Sequence, residues 1–95
     1  MAAYLLAFNK VKNPTLAAEY SAKAGPTVVA GGGAVVTKGK VSFLNGTFNV
    51  DAVLVVRFPD PATLERWYRS PEYQALIPMR DEAIDATFVV TSDAT

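Results

Sequence analysis

The sequence predicts an α+β domain whose elements follow the order β-α-β-β-α-β, and three observations support this prediction. Apolar runs that suit strands lie near both ends and in the middle of the 95-residue chain. Between them, three pairs of a polar residue and proline predict helix starts. The polar oxygen accepts an unpaired backbone N–H, and proline gives up a donor that has no partner there. An Asn-Gly dipeptide, typical of hairpin turns, lies at 45–46.

The first strand and helix are predicted in residues 3–30. Ala3 to Phe8 form the strand, and Asn13-Pro14 starts the helix. Its apolar stripe has the four-residue spacing of one helix face and consists of Leu16, Tyr20 and Ala24. Gly25-Pro26 predicts an interruption, because proline lacks the N–H that a helix interior needs. Residues 27–30 then form one more helical turn.

A hairpin is predicted next. Three glycines at 31–33 let the backbone turn sharply into a strand at 34–37. Lys38-Gly39-Lys40 suggests a tight connection into a strand at 41–44, and Asn45-Gly46 adds a turn after it. The following run, 52–56, is apolar at every position, which predicts a strand buried on both faces.

The second helical region is predicted in two pieces, followed by a last strand. Asp60-Pro61 starts one helix and Ser70-Pro71 starts the next. Pro78 should kink the second helix or start a new turn, since it lacks an N–H and clashes with the preceding turn. The last strand is expected at 86–91. This order of elements is the ferredoxin-like order.

The apolar strands predict a homodimer. A sheet with one face in water should alternate apolar and polar residues, whereas the runs at 3–8 and 53–56 place apolar side chains on both faces. Hydrophobic residues make up 51% of the chain and charged residues 19%, which is rich in apolar groups for a small domain. A second copy of the chain is the simplest partner to cover the second apolar face of the sheet. We therefore expect one domain, residues 1–95, that pairs with itself.

Charge and composition argue against several function classes. Nine basic residues balance nine acidic ones, so no net field attracts nucleic acid or a membrane surface. The absence of cysteine and histidine removes disulfides and the usual ligands of zinc and haem, and we expect neither metal nor cofactor. Asp81, Glu82 and Asp85 are interpreted as a solvated helix face. The apolar run at 4–8 is too short for a signal or membrane segment, so we expect a cytoplasmic protein.

Several motifs together suggest a family. They are Asn13-Pro14 with Tyr20, Gly31-Gly32, Phe58-Pro59, Trp67-Tyr68, Ser70-Pro71-Glu72-Tyr73 and Arg80. In these motifs the chain resembles a bacterial family called domain of unknown function 1330, within the dimeric α/β-barrel superfamily. The resemblance spans nearly the whole chain, and the block from Trp67 to Arg80 is its most specific part. The chain departs from the family pattern at Asn13, where aspartate is common, and at Gly33, where a larger and often charged residue is common.

The resemblance carries its own expectations about architecture and function. It implies a homodimer in which two ferredoxin-like sheets pack face to face as a barrel. The superfamily includes cofactor-independent oxygenases, isomerases, haem enzymes and binding proteins, so the fold alone does not select a reaction.

The candidate site is a cleft between helices and sheet. Arg80 shares a helical stripe with Tyr73 and apolar residues, and a buried guanidinium needs a partner. Three interpretations stay open: an ion pair with Glu72, Asp51 or the partner chain, extension of the side chain to the surface around the kink at Pro78, or an anchor for a carboxylate or enolate oxygen. The aromatic residues are either core or pocket walls. The candidate ligand-binding residues are Trp67, Tyr68, Ser70, Tyr73 and Arg80.

Two functions from different classes fit these residues. One is an enzyme without cofactor that performs proton transfer, isomerisation or oxygenation on a small anionic or aromatic substrate. In it a tyrosine or carboxylate moves a proton and Arg80 steadies negative charge. The other is a non-catalytic dimer that binds a small metabolite or serves in an assembly. An enzyme requires a titratable group with a perturbed pKa inside the cleft, and the sequence identifies no catalytic residue.

Overall fold

The computed structural model describes residues 1–93, and the last two residues of the predicted domain, 94 and 95, lie outside them. The strands are β1 (Ala3–Val11), β2 (Ala34–Lys40), β3 (Ala52–Phe58) and β4 (Ile84–Ser92). The helices are α1 (Pro14–Ala30), α2 (Pro61–Tyr68), α3 (Pro71–Gln74) and α4 (Ile77–Ala83). The predicted order is confirmed, with the second helical region in three pieces rather than two.

The four strands form one antiparallel sheet in the order β2-β3-β1-β4, which is the ferredoxin-like arrangement. Side chains alternate between the two faces of each strand. On one face, Leu5 lies opposite Val56 of β3 and Val90 of β4, and the helices cover this face. The core that they enclose includes Ala3, Leu5, Tyr20, Val28, Val56, Phe58, Leu64, Trp67, Tyr73 and Ile84.

The other face of the sheet, which we call the outer face, is apolar at its centre. Leu6 lies opposite Val55 on β3 and Val89 on β4. Phe8 lies opposite Val53, and its ring contacts Phe48 edge to face at 5.4 Å between centroids. No helix covers these side chains within residues 1–93, and Val89 is 44% exposed. The sequence expectation of apolar residues on both faces of β1 and β3 is therefore met.

Helix α1 is continuous, so the predicted interruption at Gly25-Pro26 is wrong. Asn13 caps the helix as expected, since its side chain accepts a hydrogen bond from the Leu16 amide at 3.0 Å. Proline normally disfavours helical geometry in the residue before it through a clash with that residue's Cβ, and Gly25 has none. The carbonyl that loses its partner belongs to Ala22, an exposed residue, so water can satisfy it.

The segment after β2 also differs from the prediction. Lys38, Gly39 and Lys40 pair with β3 and extend β2, whereas residues 41–44 form no strand and belong to a loop at 41–51. The cross-strand hydrogen bonds thus outweigh the turn preference of a Lys-Gly-Lys sequence. Gly46 has a φ of +71°, which agrees with a turn at Asn45-Gly46. The predicted hairpin between 34–37 and 41–44 is therefore wrong, because β2 pairs antiparallel with β3 and a long loop joins the two strands.

The proline-marked helix starts after β3 are confirmed. The Asp60 carboxylate accepts from the Thr63 amide at 2.7 Å, and the Ser70 hydroxyl accepts from the Tyr73 amide at 3.3 Å. Pro78 lies in the first turn of α4, so it starts a new helix. Asp81 and Glu82 lie exposed on α4, as expected, but Asp85 is on β4, which begins two residues before the predicted strand. Among the described helices, none is long and apolar enough to cross a membrane.

Candidate functional site

A cavity of about 620 Å³ lies between α1 and the covered face of the sheet. All four strands contribute to its walls, and Trp67 of α2 closes one side. Its apolar walls include Leu5, Ala17, Ala24, Val28, Val35, Leu54, Val56, Ile84 and Phe88. The polar residues that line it are Asn9, Tyr20, Ser21 and Lys38. This composition, mostly apolar with a few polar groups, is typical of sites for small organic molecules.

Asn9 is the most unusual polar residue of the cavity. It lies on β1 opposite Ala52 and Ala86. Its Oδ1 is buried and accepts no hydrogen bond from any residue between 1 and 93. Most buried polar atoms in proteins have a partner, and an unpaired acceptor costs free energy.

A chain of hydrogen bonds joins Tyr20 of the cavity wall to Arg80. The hydroxyls of Tyr20 and Tyr73 lie 2.7 Å apart. The Arg80 Nη1 donates to Tyr73 at 3.2 Å and to Tyr68 at 3.4 Å, and its Nε donates to Asp81 at 3.1 Å. The guanidinium also lies over the Phe88 ring, 5.0 Å from its centroid. Arg80 is thus held by groups of its own chain, and the carboxylate partner is Asp81 rather than Glu72 or Asp51.

Burial determines the protonation states of the residues that form this chain of hydrogen bonds. Desolvation raises the pKa of Tyr20 far above its ordinary value, and the hydrogen bond to Tyr73 adds to the rise. Desolvation also raises the pKa of Tyr73, against the hydrogen bonds from Tyr20 and Arg80 that lower it. Burial alone would lower the pKa of Arg80, but its bonds to Tyr68 and Tyr73 raise it. At neutral pH both phenols are protonated and the guanidinium is charged, so neither phenol is a ready base.

The remaining predicted site residues have structural partners as well. Trp67 donates its indole N–H to Thr27 at 3.1 Å and packs against Tyr73, with 4.5 Å between ring centroids. The Ser70 hydroxyl donates to the Trp67 carbonyl at 2.7 Å while it caps α3. Trp67 and Ser70 also line an open surface groove of about 600 Å³ beside Gly31. Tyr68, Tyr73 and Arg80 line neither this groove nor the cavity, and Tyr73 is fully buried.

Comparison with known proteins identifies the family. The model of the family described as "Domain of unknown function (DUF1330)" matches residues 2–94. The chain belongs to this family. The match confirms the resemblance that the sequence motifs indicated. No curated protein matches this DUF1330 chain significantly.

Solved structures with the same fold have low sequence identity to this DUF1330 chain. A protein of unknown function from Rhodopseudomonas palustris is 20% identical, with a TM-score of 0.82 over 99% of this chain and 83% of that one. SnoaB, a cofactor-independent oxygenase from Streptomyces nogalater, is 9% identical, with a TM-score of 0.74 over 99% and 94%. A Mesorhizobium loti protein of the dabb family, with a ferredoxin-like fold, is 12% identical, with a TM-score of 0.71 over 99% and 98%. These likenesses establish the fold alone.

The structure therefore brings together Trp67, Tyr68, Tyr73 and Arg80 as one cluster beside the cavity, with Ser70 at the helix junction. Their role toward a ligand stays a prediction. Sequence reasoning missed Asn9 and Tyr20 as cavity residues. Asn9 lies just beyond the strand predicted at 3–8, and Tyr20 belongs to the apolar stripe predicted for α1. The available signal for Asn9 was its position directly after an apolar strand. No sequence signal marked Tyr20 as a cavity residue.

Replacement of Arg80 by leucine tests the framework role of its side chain. We expect Arg80→Leu to lower the free energy of unfolding by roughly 1–3 kcal/mol, because a charged donor is lost from the Tyr68 and Tyr73 hydroxyls. Asp81→Asn is the control. Its carboxylate is 63% exposed, so we expect a change under about 1 kcal/mol. Denaturant unfolding measures both. An Arg80→Leu variant as stable as the parent would contradict the framework role and leave Arg80 free to serve as a ligand anchor.

The raised phenol pKa values predict loss of stability in alkali. Tyr20 and Tyr73 keep their protons in the folded state at a pH where they ionise in the unfolded state, whose pKa is about 10. The folded state then binds more protons, so the free energy of unfolding falls as pH rises above about 10. Below that pH the contribution is fully present. We expect the free energy of unfolding of Tyr20→Phe to fall less steeply with pH in the same series of unfolding curves. Parallel slopes for the two proteins would show that Tyr20 ionises normally.

Proposed function

We propose that this protein is a homodimer that binds one small, largely apolar molecule in the cavity between α1 and the sheet. The observation that carries the proposal is the cavity itself, whose volume of about 620 Å³ lies within the range of ligand sites. Its walls are mostly apolar, and its few polar residues belong to α1 and the strands. Rigid elements of this kind hold polar groups in fixed positions, as selective binding requires.

The outer face of the sheet supports the homodimer. Leu6, Val55 and Val89 form an apolar row across three strands. Phe43 and Phe48 extend it from the 41–51 loop, where their rings pack edge to face at 5.5 Å. A contiguous apolar surface of this kind on a chain of 95 residues marks an interaction site. A second copy buries the same face on both chains and needs no partner of another kind.

Cofactor-independent catalysis is the second candidate function, and the chain from Arg80 through Tyr73 to Tyr20 favours it. A protonated phenol at the cavity wall is a hydrogen-bond donor of the kind that stabilises an oxygen that gains negative charge, such as an enolate. The likeness to SnoaB in fold is compatible with this chemistry. The binding function ranks first because no carboxylate of residues 1–93 lines the cavity and the cavity phenol is protonated at neutral pH.

Binding in the cavity is tested by NMR titration of the labelled protein with a library of small aromatic fragments. We expect hits to shift the backbone amides of Asn9, Ser21 and Ala52, which belong to three different elements around the cavity. Ala17 is a half-buried wall residue, so Ala17→Phe fills part of the cavity and should weaken each hit at least about tenfold. The control is Ala22→Phe on the exposed face of the same helix, which should bind like the parent.

Two outcomes would contradict the binding function. One is a library without hits at the cavity amides. The other is equal affinity for Ala17→Phe and the parent, since the ligands would then occupy a different surface. Product analysis of a bound hit under air, with Tyr20→Phe as comparison, decides between the binding function and catalysis. Conversion that depends on Tyr20 supports the enzyme.

A further inference from the structure

Strand β2 borders the cavity on its open side. All seven residues of β2 are exposed, and Val35, which lines the cavity, is 58% exposed. By contrast, the wall residues Leu5 and Val56 are buried. The cavity therefore has an apolar interior against the centre of the sheet and a mouth along the edge strand β2. A ligand that fills the interior can extend one end through this mouth into water.

A β-bulge determines which side chains of β2 face the mouth. The register of β2 against β3 shifts between Val35 and Thr37, so Val36 is an extra residue in the strand. A shift by one residue moves every following side chain to the opposite face of a sheet. Lys38 consequently lies opposite Leu54, a wall residue of the cavity, and itself lines the cavity. A regular register would place the Lys38 side chain on the apolar outer face.

Lys40 faces the same way as Lys38. Side chains two residues apart on a strand share a face, and Lys40 pairs with Ala52, which also lines the cavity. No carboxylate of residues 1–93 lines the cavity. The ion pairs within residues 1–93 use other cations, namely Lys10, Lys23, Arg69 and Arg80. The mouth therefore carries two positive charges that no described acidic side chain pairs with.

We infer that the cavity ligand is an amphipathic monocarboxylate, whose apolar body packs against the cavity walls and whose carboxylate lies at the mouth between Lys38 and Lys40. This inference rests on the proposed binding function and adds the class of molecule to it. An anion at the mouth keeps part of its hydration, so it avoids the desolvation cost that a charge in the apolar interior has. The mouth and the interior thus match the two ends of one molecule.

The length of the cavity indicates the size of the apolar body. The wall residues of β3 extend from Ala52 to Val56, which is roughly 13 Å along a strand at about 3.3 Å per residue. A medium-length alkyl chain, or one aromatic ring on a short chain, spans such a distance. Two series of probes therefore cover both shapes: decanoate, 1-decanol and decylammonium, and 4-phenylbutyrate, 4-phenylbutanol and 4-phenylbutylammonium.

Isothermal titration of the parent protein with both series tests the charge preference of the site. In at least one series we expect the carboxylate to bind at least about fivefold more tightly than the ammonium compound with the same body, because two exposed lysines attract one and repel the other. Added salt should narrow this difference, since the mouth is open to solvent. Equal affinity for the carboxylate and the ammonium compound would overturn the ligand class.

Two lysine variants assign the preference to the mouth. Lys38→Gln and Lys40→Gln should each lower the affinity for the carboxylate roughly 1.5- to fivefold, as for one exposed ion pair, and leave the affinity for the alcohol unchanged. The double variant should lose most of the preference. Lys23→Gln is the control, because it removes the same charge from an exposed position of α1 that does not line the cavity. It should bind all compounds like the parent.

The competing explanation for Lys38 and Lys40 is protection of an edge strand, since lysines on edge strands hinder pairing with other chains. If that is their only role, both variants keep the parent's carboxylate affinity and become prone to aggregate, and the inference is overturned. Melting curves and light scattering record the fold and the association state of each variant.

The cavity variant Ala17→Phe separates this inference from the function on which it rests. If alcohol, carboxylate and ammonium compounds bind equally and all weaken in Ala17→Phe, cavity binding stands and the ligand class is wrong. If Ala17→Phe binds the carboxylate like the parent, the anion occupies a different surface and the inference fails. If no probe binds, the class is wrong, and the fragment titration independently decides whether the cavity binds ligands at all.

Discussion

Val55→Asp is expected to abolish the proposed homodimer and yield a monomeric or insoluble protein. Val55 lies at the centre of the outer face, opposite Leu6 on β1 and Thr37 on β2. In the proposed dimer its side chain meets the sheet of the second copy, where a carboxylate has no partner and loses its hydration. Burial of an unpaired charge costs several kcal/mol on each chain, so we expect the two copies not to pair. Light scattering at micromolar concentration measures the outcome.

The matched control is Val29→Asp. Val29 is on α1 and 71% exposed, so the same replacement introduces the same charge on a surface that the proposed dimer leaves free. We expect this variant to stay dimeric. A parent protein that is monomeric at micromolar concentration would remove the dimer proposal. A Val55→Asp variant that remains dimeric would place the interface on another surface.

Trp67→Ala is expected to cause the largest loss of stability in the helical layer. The Trp67 ring is buried and packs against Phe58 at 5.5 Å and Tyr73 at 4.5 Å between centroids. Its truncation leaves a cavity and releases the hydrogen bond to Thr27, and such replacements cost about 3–5 kcal/mol. Denaturant unfolding monitored by circular dichroism gives the value, since the variant lacks the chain's single tryptophan.

Trp67→Phe separates packing from the hydrogen bond. It keeps much of the ring contact but leaves Thr27 without the indole donor, so we expect a smaller loss, about 1–2 kcal/mol. The close approach of Gly31 supports this tight packing, because a Cβ at that position would lie 2.9 Å from Trp67 atoms. A Trp67→Ala loss below about 1 kcal/mol would show that the ring belongs to a ligand surface rather than to the core.

The elements with strong local signals were predicted from the sequence. The helix starts at Asn13, Asp60 and Ser70 depend on a side chain and a backbone amide three residues away, so their signal is local. The apolar runs likewise predicted β1 and β3. One prediction failed because a distant contact outweighs a local preference, and another failed because a neighbouring glycine removes a local clash. Pairing with β3 extends β2 through Lys38-Gly39-Lys40, and α1 continues through Pro26 because Gly25 avoids the clash.

The candidate site, too, was predicted from the sequence in one part and decided by the tertiary structure in another. The sequence alone determined the family motifs, the cluster of Trp67, Tyr68, Tyr73 and Arg80, and the apolar character of both faces of the sheet. Only the tertiary structure brought Tyr20 of α1 within 2.7 Å of Tyr73 on α3 and placed Asn9 of β1 on the wall of the same cavity. These residues are far apart in sequence, and each alone is an ordinary polar residue of a strand or helix. A cavity exists between elements, so its shape and the residues that line it depend on how the helices pack on the sheet, which no local pattern encodes.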